Sequence, residues 1–112
     1  MQSYGMTLML KDDEEIADRY REYHRKAWPE VVSRLRKSGI TEMRIYLLGR
    51  RMFMYMEAVD GFSPGRDFPK LLQDPRYREW DELMRTLQER APEAKPEEWW
   101  APMEEVFDLS AQ

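Results

Sequence analysis

The sequence predicts an α+β fold, and three observations predict it. An alternating apolar segment opens the chain and passes into a long stretch of helical periodicity. Two aromatic-rich runs follow, joined by a glycine-led turn. A proline then opens a second helical stretch ahead of a short apolar tract near the end. With 112 residues there is room for one hydrophobic core, so residues 1–112 are expected to form a single domain.

Residues 4–10 alternate Met6, Leu8 and Leu10 against Thr7 and Met9, the period of a strand. Asp12 or Asp13 then caps a helix whose first turn carries Glu14 and Glu15, where negative charge suits the positive end of the helix dipole. Ile16, Tyr20, Tyr23, Ala27 and Val31 recur at helical spacing and define its buried face. Pro29 lacks the amide hydrogen that would bond to Arg25, so the helix either kinks there or restarts with Pro29 in a first turn. It runs on through Val32 and Leu35 to Lys37, and Gly39 ends it.

Residues 42–48 and 52–58 read as the strands of a hairpin around Gly49-Arg50-Arg51. Alternation sets Arg44, Tyr46 and Leu48 on one face against Met43, Ile45 and Leu47, and Phe53, Tyr55 and Glu57 against Met52, Met54 and Met56. Residues 60–66 read as a loop and 68–72 as a short helical turn. Pro75 opens a longer helix containing Tyr77, Trp80, Leu83, Met84 and Leu87. Residues 91–96 are Pro-rich and polar, hence a loop, with Trp99-Trp100 in or just beyond it, and residues 103–109 offer a short strand through Val106 and Phe107. Strand, helix, strand, strand, helix, strand is the split βαβ order of ferredoxin-like domains. Helices then cover one sheet face and leave the other exposed, unless a second protomer or a ligand covers it.

Composition narrows the function classes. Apolar residues make up 42% of the chain, an adequate core for this length that favours a homodimer. The absence of cysteine excludes a disulfide scaffold, a thiolate nucleophile and a thiolate metal site. A formal charge of −4, from 22 acidic and 18 basic residues interspersed along the chain, discourages nucleic acid or an anionic membrane as partner and suits a small, weakly charged ligand. No charged start leads into a long apolar run, so cytoplasmic residence is expected. One histidine cannot build a multi-histidine metal centre, and no acidic spacing matches a calcium loop, so no metal is assigned.

That histidine, His24, falls at the edge of the helix's buried face, one turn after Tyr20 and one turn before Trp28. It is either a packed structural side chain or a neutral imidazole that exchanges protons near pH 7, with Tyr20 as orienter or second donor. Tyr46 and Arg44 share one strand face; Tyr46 packs or meets a sugar hydroxyl, and Arg44 either binds substrate or pairs with Glu57 across the hairpin. Trp80, Trp99 and Trp100 are candidates for stacking on the apolar face of a sugar, or else Trp80 is core and Trp99-Trp100 a lid or dimer contact.

The run Tyr20-Arg21-Glu22-Tyr23-His24-Arg25-Lys26-Ala27-Trp28-Pro29-Glu30 resembles the helix of the L-rhamnose mutarotase family, with its tyrosine four residues before a histidine and its Trp-Pro-Glu. Similarity continues at Ile45-Tyr46-Leu47, at Trp80 with Met84, and at Glu105-Val106-Phe107 with Leu109. The resemblance implies ferredoxin-like protomers paired into a dimeric α+β barrel that interconverts the α and β anomers of L-rhamnose without a cofactor. It places His24 at the family's catalytic histidine, Tyr20 at the neighbouring tyrosine, Tyr46 at the tyrosine of the second strand and Trp80 at a pocket tryptophan. Two positions depart from the family pattern: Phe68 stands where a tryptophan is common after the third strand, and Asp81 follows Trp80 where a second tryptophan is usual. Relatives that act on L-fucose leave another 6-deoxy sugar open. Competing readings are a cofactor-free monooxygenase or cyclase on the same scaffold, and a noncatalytic small-sugar binding module.

Overall fold

In the computed structural model, which describes residues 1–112, the chain runs β1 (Gln2–Leu10), α1 (Glu14–Arg25), α2 (Pro29–Lys37), β2 (Ile40–Leu48), β3 (Arg51–Ala58), α3 (Pro64–Leu71), α4 (Pro75–Arg85), β4 (Gln88–Glu89) and β5 (Ala101–Pro102). The alternating first segment becomes the central strand. β3 pairs along one edge of β1, β2 pairs outside β3, and the short β4 and β5 pair with the other edge of β1, all antiparallel. The order β2-β3-β1-β4 is that of the split βαβ arrangement. No helix is long and apolar enough to cross a membrane.

Local chemistry explains the boundaries. Asp13 accepts the Glu15 amide hydrogen at 2.9 Å and starts α1. Pro29 restarts the helix, with Trp28 as the residue before α2 and the Val32 amide donating to the Trp28 carbonyl. Gly39 stops α2 at φ 107°, and a β-carbon there would lie 2.8 Å from a methyl of Val59, so any side chain would be strained. A two-residue turn of Gly49 (φ 62°) and Arg50 closes the hairpin between Leu48 and Arg51. Asp74 caps α4 through the amides of Arg76 and Tyr77, and its salt bridge to Arg34, at 2.7 Å, ties α4 to α2.

The inner sheet face buries Met6, Leu8, Leu10, Met52, Met54, Met56 and Ala58 beneath the helices. Full burial of each large side chain stabilises the fold by roughly 1.5–3 kcal/mol. Leu8, Leu10 and Met52 pack with Tyr20, Val31, Trp80, Met84 and Leu87; Met6, Met54 and Met56 pack with Ile40, Ala58 and Phe62. The outer face carries Arg44, Tyr46, Leu48 and Phe53 in the open.

Two expectations are corrected. Residues 103–108 form no strand: Val106 and Phe107 are exposed, and the tract ends in a 3-10 turn at Leu109–Ala111. The last strand positions fall instead to β4 and β5, whose backbones complete the free edge of β1. The loop after β3 is shorter than expected, because Pro64 supplies the first turn of α3, which extends through Phe68 to Leu71.

Candidate active site

Tyr20 and His24 sit one turn apart on α1 and stack, ring centroids 4.1 Å apart at 25°. Nδ1 of His24 lies 2.8 Å from the Tyr20 carbonyl oxygen. A carbonyl only accepts, so Nδ1 carries the hydrogen, and in the neutral ring Nε2 keeps a free lone pair. Burial lowers the His24 pKa from its ordinary 6.5 and the bond to the Tyr20 carbonyl offsets part of that. The imidazole is therefore neutral at pH 7, half-buried, with its basic nitrogen uncommitted to the helix.

Trp80 on α4 forms the wall behind it. Its ring meets His24 edge-on at 5.4 Å, Trp28 at 5.2 Å and Tyr23 at 6.3 Å. With 7% of the residue exposed, Trp80 is part of the core and packs against the imidazole edge. The Arg76 guanidinium covers Trp28 at 3.6 Å, so the far side of the cluster is closed as well.

Gln88, on β4, is a member of the site that sequence reasoning missed. It is 5% exposed, its Nε2 lies 3.2 Å from the Tyr20 hydroxyl, and its Oε1 accepts the Trp99 indole hydrogen at 2.8 Å. Burial pushes the Tyr20 hydroxyl up to about 12 while the Gln88 bond pulls it down, so the phenol keeps its proton at neutral pH. A single glutamine after an apolar helix carries no local pattern; only the pairing of Gln88 with Leu10 brings it under α1. The Arg85 guanidinium lies 4.5 Å over the Trp99 ring and bonds Asp81 at 2.9 Å. Asp81 thus anchors the arginine that backs Trp99.

The other expected positions lie apart. Trp100 is half-buried against both core clusters, and Phe68 packs edge-on to Phe62 at 5.8 Å in the second. Tyr46 and Arg44 occupy the outer sheet face, across the sheet from His24. Tyr46 is 55% exposed and stacks on Phe53 at 6.2 Å. Arg44 pairs with Glu42 at 3.4 Å, and Glu57 accepts from Tyr55 at 3.0 Å, so the cross-hairpin bridge from Arg44 to Glu57 is not formed. Two surface depressions, one beside Trp99 with Arg85 and Arg90 and one between Asp13 and Arg50, are not lined by His24 or Tyr20. No three His, Cys, Asp or Glu side chains come together as a metal site.

A family model described as L-rhamnose mutarotase matches residues 3–109. A UPF0734 protein of Dictyostelium discoideum is 43% identical over 96% of this chain and 89% of its own. An L-fucose mutarotase of Xanthomonas campestris is 34% identical over 98% of this chain and 90% of its own. Among solved structures, an L-rhamnose mutarotase of Formosa agariphila superposes with a TM-score of 0.72 at 20% identity, covering 97% of this chain and 99% of that one. The tetracenomycin F2 cyclase of Streptomyces glaucescens does so with 0.62 at 14% identity, covering 96% of each. At such identities the two superpositions show a shared α+β fold.

Proposed function

The chain belongs to the L-rhamnose mutarotase family, closely related to fucose mutarotase, and from that premise we propose that it is an isomerase catalysing the mutarotation of a 6-deoxy sugar, by acid–base chemistry centred on His24. The observation that carries this reading is the neutral His24 ring, its Nδ1–H spent on the Tyr20 carbonyl and its Nε2 lone pair free. The likeness to an L-fucose mutarotase over nearly the whole chain puts L-fucose beside L-rhamnose as the substrate.

The chemistry asks for two proton transfers. His24 Nε2 takes the proton of the anomeric hydroxyl while a neighbouring acid protonates the ring oxygen. The bond between C1 and the ring oxygen breaks, and an open-chain aldehyde forms. Rotation about C1–C2 presents the other carbonyl face; the former ring hydroxyl attacks it, and both protons return. Nothing is consumed, so no cofactor is needed. Tyr20, stacked on the imidazole, is the neighbouring polar group placed to hold the second oxygen.

We assign Tyr46 to a second role. With Leu48 at 87% and Phe53 at 37% exposure it forms an apolar outer face that a second copy of the chain covers, giving a dimeric α+β barrel. Trp99, bonded to Gln88, closes the site on the side of β5.

Anomeric-proton saturation-transfer NMR with L-fucose and L-rhamnose tests the reading. Accelerated exchange for one of them supports it. Folded protein that accelerates neither overturns it, and sugar affinity without acceleration would leave a binding module.

A further inference from the structure

We propose that Gln88 is a positioning residue that turns the Tyr20 phenol into a hydrogen-bond donor toward the sugar, making Tyr20 the acid that pairs with the basic His24. This inference rests on the mutarotase reading and adds to it the identity of the second proton carrier.

The direction of each bond follows from what each group can do. An indole N–H donates and cannot accept. The end of the Gln88 amide that lies 2.8 Å from Trp99 Nε1 is therefore its oxygen. The other end is the NH2 group, which only donates, so at 3.2 Å the Tyr20 oxygen is the acceptor. Tyr20 has one hydrogen and does not spend it on Gln88. With the Tyr20 oxygen so engaged, its O–H points away from Gln88 and is available to another acceptor.

The parts that set this direction are themselves held. Gln88 and Thr7 are the two buried polar residues of the chain, and the backbone of Gln88 is paired to Leu10. Trp99 is backed by Arg85, which Asp81 anchors from one turn earlier on α4. Rotating the Gln88 amide by half a turn would face its NH2 group with the indole N–H and its oxygen with the phenol. That costs a donor–donor clash and a buried unsatisfied group.

Ring opening uses both consequences. One proton leaves the anomeric hydroxyl for His24 Nε2 as another leaves Tyr20 for the ring oxygen. Negative charge then grows on the Tyr20 oxygen, and the Gln88 N–H already aimed at it becomes a charge-assisted bond. Closure returns the protons along the same bonds.

Gln88→Glu is the discriminating variant. It keeps the size and still accepts from Trp99. Its carboxylate, however, accepts the Tyr20 hydrogen and opposes charge on the phenol oxygen. The titratable groups around that position are Tyr20 and His24 on α1, Arg85 on α4, and Glu89 next to it on β4 in a salt bridge with Arg50. In exchange NMR the variant's kcat should fall about 100-fold at pH 8, with KM within about threefold. The ratio of variant to wild-type kcat should then rise as pH falls, because a protonated carboxyl again donates to Tyr20. Trp99→Phe, which frees the amide to rotate, should lower kcat by less and also spare KM.

A kcat within about threefold of wild type for Gln88→Glu at every pH would overturn the proposal. So would a loss that is flat with pH and tracks a lowered Tm, which marks a purely structural glutamine. Wild-type protein that accelerates neither sugar would bring down the parent reading, a result told apart from both by the wild-type control alone.

Discussion

Two aromatic groups sit on opposite faces of one sheet and differ in how they are enclosed. On the helix side Tyr20, His24 and Trp80 pack ring against ring, with Tyr20 at 5% and Trp80 at 7% exposure. On the outer side Tyr46 stacks on Phe53 with more than half of Tyr46 in solvent. Enclosure decides what each can do. A half-buried imidazole with one nitrogen tied to a carbonyl has a single tautomer and a lowered pKa, which is what a neutral proton acceptor requires. A tyrosine more than half exposed on an open sheet face has area to offer and little else. On the proposed function the inner group serves the chemistry and the outer one self-association.

Substitutions on each side sharpen the contrast, and the largest effect is expected at Trp80. Trp80→Ala removes a side chain that meets His24, Trp28 and Tyr23, and urea denaturation should show a loss of about 3–5 kcal/mol. Unchanged stability would mean the cluster is not packed as described. His24→Asn comes next: an amide can still donate to the Tyr20 carbonyl, so Tm should move by only a few degrees while anomer exchange drops about 100-fold or more. Loss of fold with that variant would return His24 to the role of a packed core residue.

Tyr46→Asp should leave the far-ultraviolet circular dichroism of the chain unchanged and weaken self-association by about tenfold in sedimentation equilibrium, since surface changes seldom move fold stability by more than about 0.5 kcal/mol. A dimer constant equal to that of wild type would remove Tyr46 from the interface.

The smallest effect is a pH slope. A histidine whose folded pKa lies below its unfolded value of about 6.5 gives stability that is present above that pH and is lost as pH falls toward the folded pKa. Wild-type Tm should therefore decline just below pH 6.5, before the carboxylates titrate, and His24→Asn should flatten that decline. A slope that survives in the variant would place the titrating group elsewhere.

Much of this architecture is legible in the amino-acid order, for local reasons. Alternation along β1, β2 and β3 reveals the two sheet faces, Asp13 and Pro75 announce helix starts, and Gly39 and Gly49 occupy positions with positive φ. The i, i+4 spacing of Tyr20 and His24 places them on one helix face; the stacking of their rings is seen only in the fold. The strands β4 and β5 are not legible, because two residues carry no period and their pairing is decided by the free edge of β1. Val106 and Phe107 have strand-forming side chains and no strand to join. Gln88 escapes for the same reason as β4: its partners Tyr20 and Trp99 are 68 and 11 residues away. Alternation alone also does not reveal that Tyr46 lies across the sheet from His24; the helix packing does.

The central claim is that His24 stands neutral with hydrogen on Nδ1 and a free lone pair on Nε2. Because the chain has one histidine, nitrogen-15 labelling of histidine gives a single ring, and two-bond proton–nitrogen correlations at pH 7 report its state directly. The expected result is a pyrrole-like Nδ1 and a pyridine-like Nε2 that shifts when L-fucose or L-rhamnose is added. A doubly protonated ring at pH 7, or hydrogen on Nε2 with Nδ1 bare, would contradict the account.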